Sequence, residues 1–105
     1  TMEEDFYRGR LENPYGLEVL IPEEADREII HRVIYDELCL GVIREASAKN
    51  YTRIVGRLVD AGAEGVILGC TEIGLLVKPA AYKIPLFDTT RIHAEAAVDF
   101  ALQPI

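Results

Sequence analysis

The stretch at residues 65–76, GVILGCTEIGLL, constrains this chain more than any other. Gly65-Val66-Ile67-Leu68 is a short apolar run with two β-branched residues. It follows a helical pattern and a glycine-containing turn, so it reads as a strand buried on both faces. Gly69-Cys70-Thr71-Glu72 lies where that strand ends and a helix can begin. In an open α/β sheet the carboxyl end of a strand borders a cleft, where the free N–H groups of a helix start can meet a ligand. A cysteine there faces the cleft near a positive dipole end, which favours its thiolate. The reading is a reactive Cys70 with the Thr71 hydroxyl and the Glu72 carboxylate beside it. The plain alternative makes Cys70 a small core residue that closes the strand.

The rest of the chain alternates around this motif. Thr1 and Glu4 have the spacing of a capping box. They open a helix through about Leu11, which Asn13-Pro14 ends because the residue before proline is pushed out of the α region. Residues 17–21, LEVLI, read as a strand closed by Pro22. From Glu23 to Leu40, Ile29, Ile30, Val33, Ile34 and Leu38 recur at the period of an amphipathic helix, with acids in the first turn and Gly41 as C-cap. A further helix runs from Arg44 or Ser47 to Ala61, with Tyr51, Ile54, Val55, Leu58 and Val59 inward and Gly62 closing it. Gly56, unfavourable inside a helix, predicts close helix–sheet packing. After the Cys70 turn come a helical turn at 74–77 and a strand at 84–87. Asp88-Thr89-Thr90 offer caps for a last helix with Ile92, Ala96, Ala97 and Phe100 inward. Residues 103–105 are expected to fray. Strands alternating with helices predict an α/β fold, a parallel sheet with helices on both faces, in one domain over 1–105. Three short strands are few for so many helices, and a parallel sheet needs its faces and edges covered. A strand before Thr1 is therefore expected to be absent, the chain being a piece of something longer.

Charge and cysteine usage narrow the function. A formal net charge of −7 argues against nucleic acid and against a polybasic membrane contact. No apolar run has membrane-spanning length, and no signal-peptide pattern opens the chain. Two cysteines, Cys39 and Cys70, make no disulfide framework, so the expected location is reducing and cytoplasmic. With only His31 and His93 besides, no metal-ligand spacing stands out. Cys39 lies mid-pattern near an apolar stripe and reads as a buried structural thiol. The two histidines read as solvated or interface residues, and Glu37 as an acid at the edge of the core.

The motif Gly-Cys-Thr-Glu after its apolar strand, with Pro85-Leu86-Phe87-Asp88-Thr89 and Ile92-His93-Ala94-Glu95, resembles the C-terminal half of the aspartate/glutamate racemase family. Thr1-Met2-Glu3-Glu4-Asp5-Phe6-Tyr7 and Asp36-Glu37-Leu38-Cys39-Leu40-Gly41 fit its bacterial broad-specificity amino-acid branch. The resemblance covers nearly the whole chain. It implies one lobe of a two-lobed α/β enzyme that needs no PLP or other cofactor and acts on a small amino acid. Each lobe offers one cysteine; one removes the α-proton and the other returns a proton to the opposite face. Carried onto this sequence, Cys70 is the second-lobe catalytic cysteine, Thr71 binds substrate, and Glu72 steadies the thiol or the ammonium group. Glutamate racemases commonly have His at the position of Glu72, which favours an aspartate-racemase-like branch. Thr1 is a further substrate contact if the absent strand borders the cleft. The other lobe, with its cysteine and Asn-Thr neighbours, is not in this sequence, and Cys39 has no glycine–strand approach to replace it. The chain alone is therefore expected to be inactive, and to form a homodimer through an exposed sheet edge. Two alternatives stay open. One is a related cysteine enzyme on the same scaffold, such as a hydantoin racemase, a maleate isomerase or an arylmalonate decarboxylase. The other is a non-catalytic α/β module that uses the strand–turn–helix as an anion site.

Overall fold

The computed structural model describes residues 1–104. Its helices are α1 (Asp5–Tyr15), α2 (Glu24–Asp36), α3 (Glu45–Asp60) and α4 (Thr89–Ala101), and its strands are β1 (Val66–Leu68) and β2 (Leu86–Asp88). Three-residue 3-10 turns at Leu38–Leu40, Ile73–Leu75 and Pro79–Ala81 join them. The two strands run parallel, with Val66 opposite Leu86, Ile67 opposite Phe87 and Leu68 opposite Asp88. This is the α/β architecture that the alternating pattern predicts, a small parallel sheet flanked by helices. The fray expected at 103–105 includes Ile105, which lies outside the described residues.

The core forms where the apolar stripes of α2 and α3 meet β1. Val33, Leu38, Tyr51, Leu68, Leu76 and Val77 make one buried cluster, and Ile29, Ile30 and Ile34 pack against it. The sequence period places the members from α2 and α3 because every third or fourth position of an amphipathic helix shares a face, but Val59, expected inward, lies at the end of the stripe and is 38% exposed. Polar ties fix the helix pair. The Tyr51 hydroxyl donates to the Ile30 carbonyl at 3.1 Å, and Arg57 of α3 pairs with the buried Asp26 of α2. Ser47 Oγ, also buried, donates to Glu37 Oε1 at 2.6 Å.

Several local expectations are corrected. Residues 17–21 run without strand pairing; the Val19 carbonyl accepts instead from Arg8 Nη2 at 3.1 Å. A strand needs a neighbour to complete its ladder, and the only pair among the described residues is β1–β2. Thr1 does not cap α1 with its side chain. Its backbone carbonyl accepts from the Glu4 N–H at 3.0 Å in a tight turn, and Glu4 becomes the N-cap. Helix α1 continues past Pro14 to Tyr15 and closes on Gly16, whose left-handed backbone lets its N–H reach the Glu12 carbonyl at 2.9 Å. A proline in the last turn forfeits a single helical bond, so the helix survives it. Strand β1 is covered on one face only, since Ile67 is 41% exposed. Gly56 has no atom within 4 Å of where a Cβ would stand, so no close helix–sheet contact explains it. None of Ile92, Ala96, Ala97 and Phe100 is buried, and α4 has no buried residue at all. Cys39 is exposed, because α2 ends at Asp36 and the following 3-10 turn breaks the phase of the stripe.

Candidate functional site

Both strands end on the same edge of the sheet because they are parallel. That edge carries the Gly69–Glu72 turn after β1 and the start of α4 after β2. Two contacts draw the strands and the turn together. A methyl group on Gly65 would stand 2.8 Å from the Phe87 ring, so glycine just before β1 lets that ring lie over the strand start without being displaced. At the other end the Thr89 hydroxyl, first in α4, donates to the carbonyl of Leu68 at 3.0 Å. Asp88 caps the same helix, accepting from the Arg91 N–H at 3.3 Å. The turn therefore leaves β1 with its last carbonyl anchored to the neighbouring helix start.

Cys70 is half-buried, and its Sγ–H donates to Glu72 Oε2 at 2.7 Å. The thiol is pushed above its ordinary pKa of 9.0, first by burial and then by the hydrogen bond to Glu72. The backbone N–H groups of Glu72 and Ile73 act in the opposite direction and are outweighed. Glu72 is held below the ordinary carboxylate value, chiefly by the Cys70 thiol and then by Thr71. The pair is thus a neutral thiol against a carboxylate. The expected thiolate is corrected for a structural reason: no full helix begins after Cys70, only the short turn Ile73–Leu75, so no long helix dipole favours the anion. Chemically the arrangement stores a proton on sulfur with an acceptor already in contact.

Cys70, Thr71 and Glu72 come together in one turn, as sequence adjacency requires. Thr1 stands exposed at the start of the chain and makes no side-chain hydrogen bond to that turn. Two neighbours escaped the sequence reading. Tyr7 of α1 brings its hydroxyl to within 3.2 Å of where a Gly69 Cβ would stand. Burial chiefly, and then the nearness of the acidic groups Cys70 and Glu37, lifts the hydroxyl of Tyr51 in α3 above its ordinary value of 10.0. Neither has a local motif; only long-range packing brings them to the turn. Among the described residues no group of three or more His, Cys, Asp or Glu side chains converges as a metal site, and no helix is long and apolar enough to cross a membrane.

Comparison with known proteins bears on the fold and the family. Residues 1–97 match the family model described as Asp/Glu/Hydantoin racemase. A candidate Asp/Glu racemase from Yersinia pestis is 53% identical; the match covers 98% of this chain and 45% of that one, with a TM-score of 0.90. An aspartate racemase homologue from Pyrococcus horikoshii OT3 is 36% identical over 98% of this chain and 45% of its own, with a TM-score of 0.81. The chain thus spans less than half the length of these relatives. A family match over nearly the whole chain, joined to a fold shared at these identities, shows that this chain belongs to the Asp/Glu/Hydantoin racemase family.

Proposed function

We propose that this chain is the C-terminal lobe of a PLP-independent amino-acid racemase and supplies one of its two catalytic groups, Cys70. The observation that carries the reading is the Cys70 thiol, half-exposed on the carboxyl edge of the sheet and bonded to Glu72. Inverting an α-carbon needs an acid on one face and a base on the other. In its resting form Cys70 is the acid, with the proton on sulfur. Once it has given that proton to the substrate carbon, Cys70 is a thiolate and serves as base for the reverse direction, Glu72 staying a carboxylate throughout. The thiolate then takes the α-proton, and the carbon is reprotonated from the opposite face by a group of the other lobe. Thr71 and Glu72 bind the substrate beside the thiol, Glu72 attracting its ammonium group. Thr1 joins them from the segment that leads into α1, the helix whose Tyr7 reaches the turn. Aspartate and glutamate are the first substrates to try, given the names of the relatives.

The test replaces the matching 45% of the Yersinia pestis relative with this chain and follows racemisation of both amino acids. The chimaera is expected to be active, and Cys70→Ala is expected to reduce its rate about 10²–10⁴-fold, the usual weight of general acid–base catalysis. A folded chimaera whose rate ignores Cys70→Ala would refute the assignment. The 105-residue chain alone is expected to be inactive.

A further inference from the structure

We propose that Tyr7 is a ligand-binding residue of the Cys70 site, its phenol hydroxyl donating to the carboxylate of an α-amino acid. The inference deepens the racemase reading and rests on it. Three observations lead to it. First, the Tyr7 hydroxyl closes on the turn from α1: a methyl on Gly69 would stand 3.2 Å from Tyr7 Oη and 4.0 Å from Cζ. Glycine at 69 is what leaves the hydroxyl its place next to the residue bearing the thiol. Second, the hydroxyl is uncommitted. The side-chain hydrogen bonds on this edge join Cys70 to Glu72, Thr89 to Leu68 and Asp88 to Arg91, and none uses the Tyr7 oxygen. Third, the charged side chains named on this edge are acids or cations that already have a partner within the chain. Glu72 and Asp88 are acids that suit an ammonium group. Lys78 is engaged by the Gly74 carbonyl at 3.1 Å, and Arg91 pairs with Glu95 at 2.8 Å. From this chain a carboxylate beside Cys70 can draw on hydroxyls and backbone N–H groups, and Tyr7 offers a hydroxyl held by a rigid ring on a helix.

The chain as it stands can test this. Alkylation of Cys70 by iodoacetamide is followed by peptide mass spectrometry against increasing L-aspartate, with L-glutamate in parallel. Either amino acid is expected to slow the modification of Cys70. Tyr7→Phe is expected to raise the half-protecting concentration about ten- to hundredfold, the weight of a hydrogen bond to a charged group. Its alkylation rate without ligand is expected to stay at the parent value. Gly69→Ala, which crowds the hydroxyl, is expected to weaken protection likewise, and to add little once Phe occupies position 7. Equal protection of the parent chain and Tyr7→Phe overturns the inference and leaves the racemase reading standing. A faster ligand-free alkylation in Tyr7→Phe also overturns it, since the ring would then be bracing the turn. Absence of protection in the parent by both amino acids overturns the inference, while the racemase reading is decided separately by the response of the chimaera to Cys70→Ala.

Discussion

At position 70 the neighbours were legible and the charge was not. Cys70, Thr71 and Glu72 are adjacent in sequence, so their proximity is certain from the letters alone. The protonation state depends on burial and on which rotamer Glu72 adopts, and neither is local information. The structure puts the carboxylate against the sulfur, and that favours the thiol over the thiolate. Glu72→Gln removes the like charge and leaves a weaker, neutral hydrogen-bond acceptor beside the sulfur. The midpoint of Cys70 alkylation against pH is therefore expected to move down in that variant, read peptide by peptide so that Cys39 does not interfere. The same shifts set a pH window. Lowered Glu72 contributes stability above its ordinary 4.5, lost as pH falls through its folded value. Raised Cys70 contributes below its ordinary 9.0, lost as pH climbs through its folded value. The turn is thus held best between those limits. Cys39 departs from its expected burial for a related reason: its exposure follows from where α2 stops, three residues earlier, and not from the stripe near which it lies.

Helical period carried α2 and α3 well, since packing of one face is most of what makes such helices stable. Val33, Leu38, Tyr51 and Ile54 are buried as their spacing requires. Short elements fared worse. The five apolar-rich residues at 17–21 look like a strand by composition, yet a strand is a property of two segments, and among the described residues none pairs with this one. Helix α4 failed in the opposite way. Its cap at Asp88 is legible, while Thr89 opens the helix and bonds to Leu68 instead; the apolar residues have no stated partner, and they point to water. Within the packed pair, the bond from Tyr51 to the Ile30 carbonyl crosses from α3 to α2. Tyr51→Phe keeps the ring and leaves that carbonyl short of one donor. A loss of about 1 kcal/mol is expected in urea unfolding with an unchanged slope, a lowered midpoint being the signature of stability alone. A midpoint equal to that of the parent would show that the bond adds nothing.

For the molecule as a whole, the alternation of helix and strand was enough to give the α/β class, and the family follows from the match over residues 1–97. What the letters withheld was which apolar surfaces find cover within these residues. Phe6, Ile67, Phe87, Val98, Phe100 and Leu102 are all exposed, and most of them belong to the sheet edge or to α4. The relatives have more than half of their length beyond the matched region, so surfaces of this kind need not be covered by the matched residues alone.

The bare flank of α4 has a practical side. Phe100 and Leu102 are 76% and 78% exposed, while the chain carries a formal charge of −7 at neutral pH. Mutual repulsion is then what keeps these greasy side chains of separate molecules apart. Acidification toward the isoelectric point near 4.7 cancels the repulsion and leaves the grease. Turbidity is expected to climb steeply in that range, and to climb less for a Phe100→Ser, Leu102→Ser double variant at the same concentration. A purification that elutes at mildly acidic pH would leave the material on the column or in the pellet.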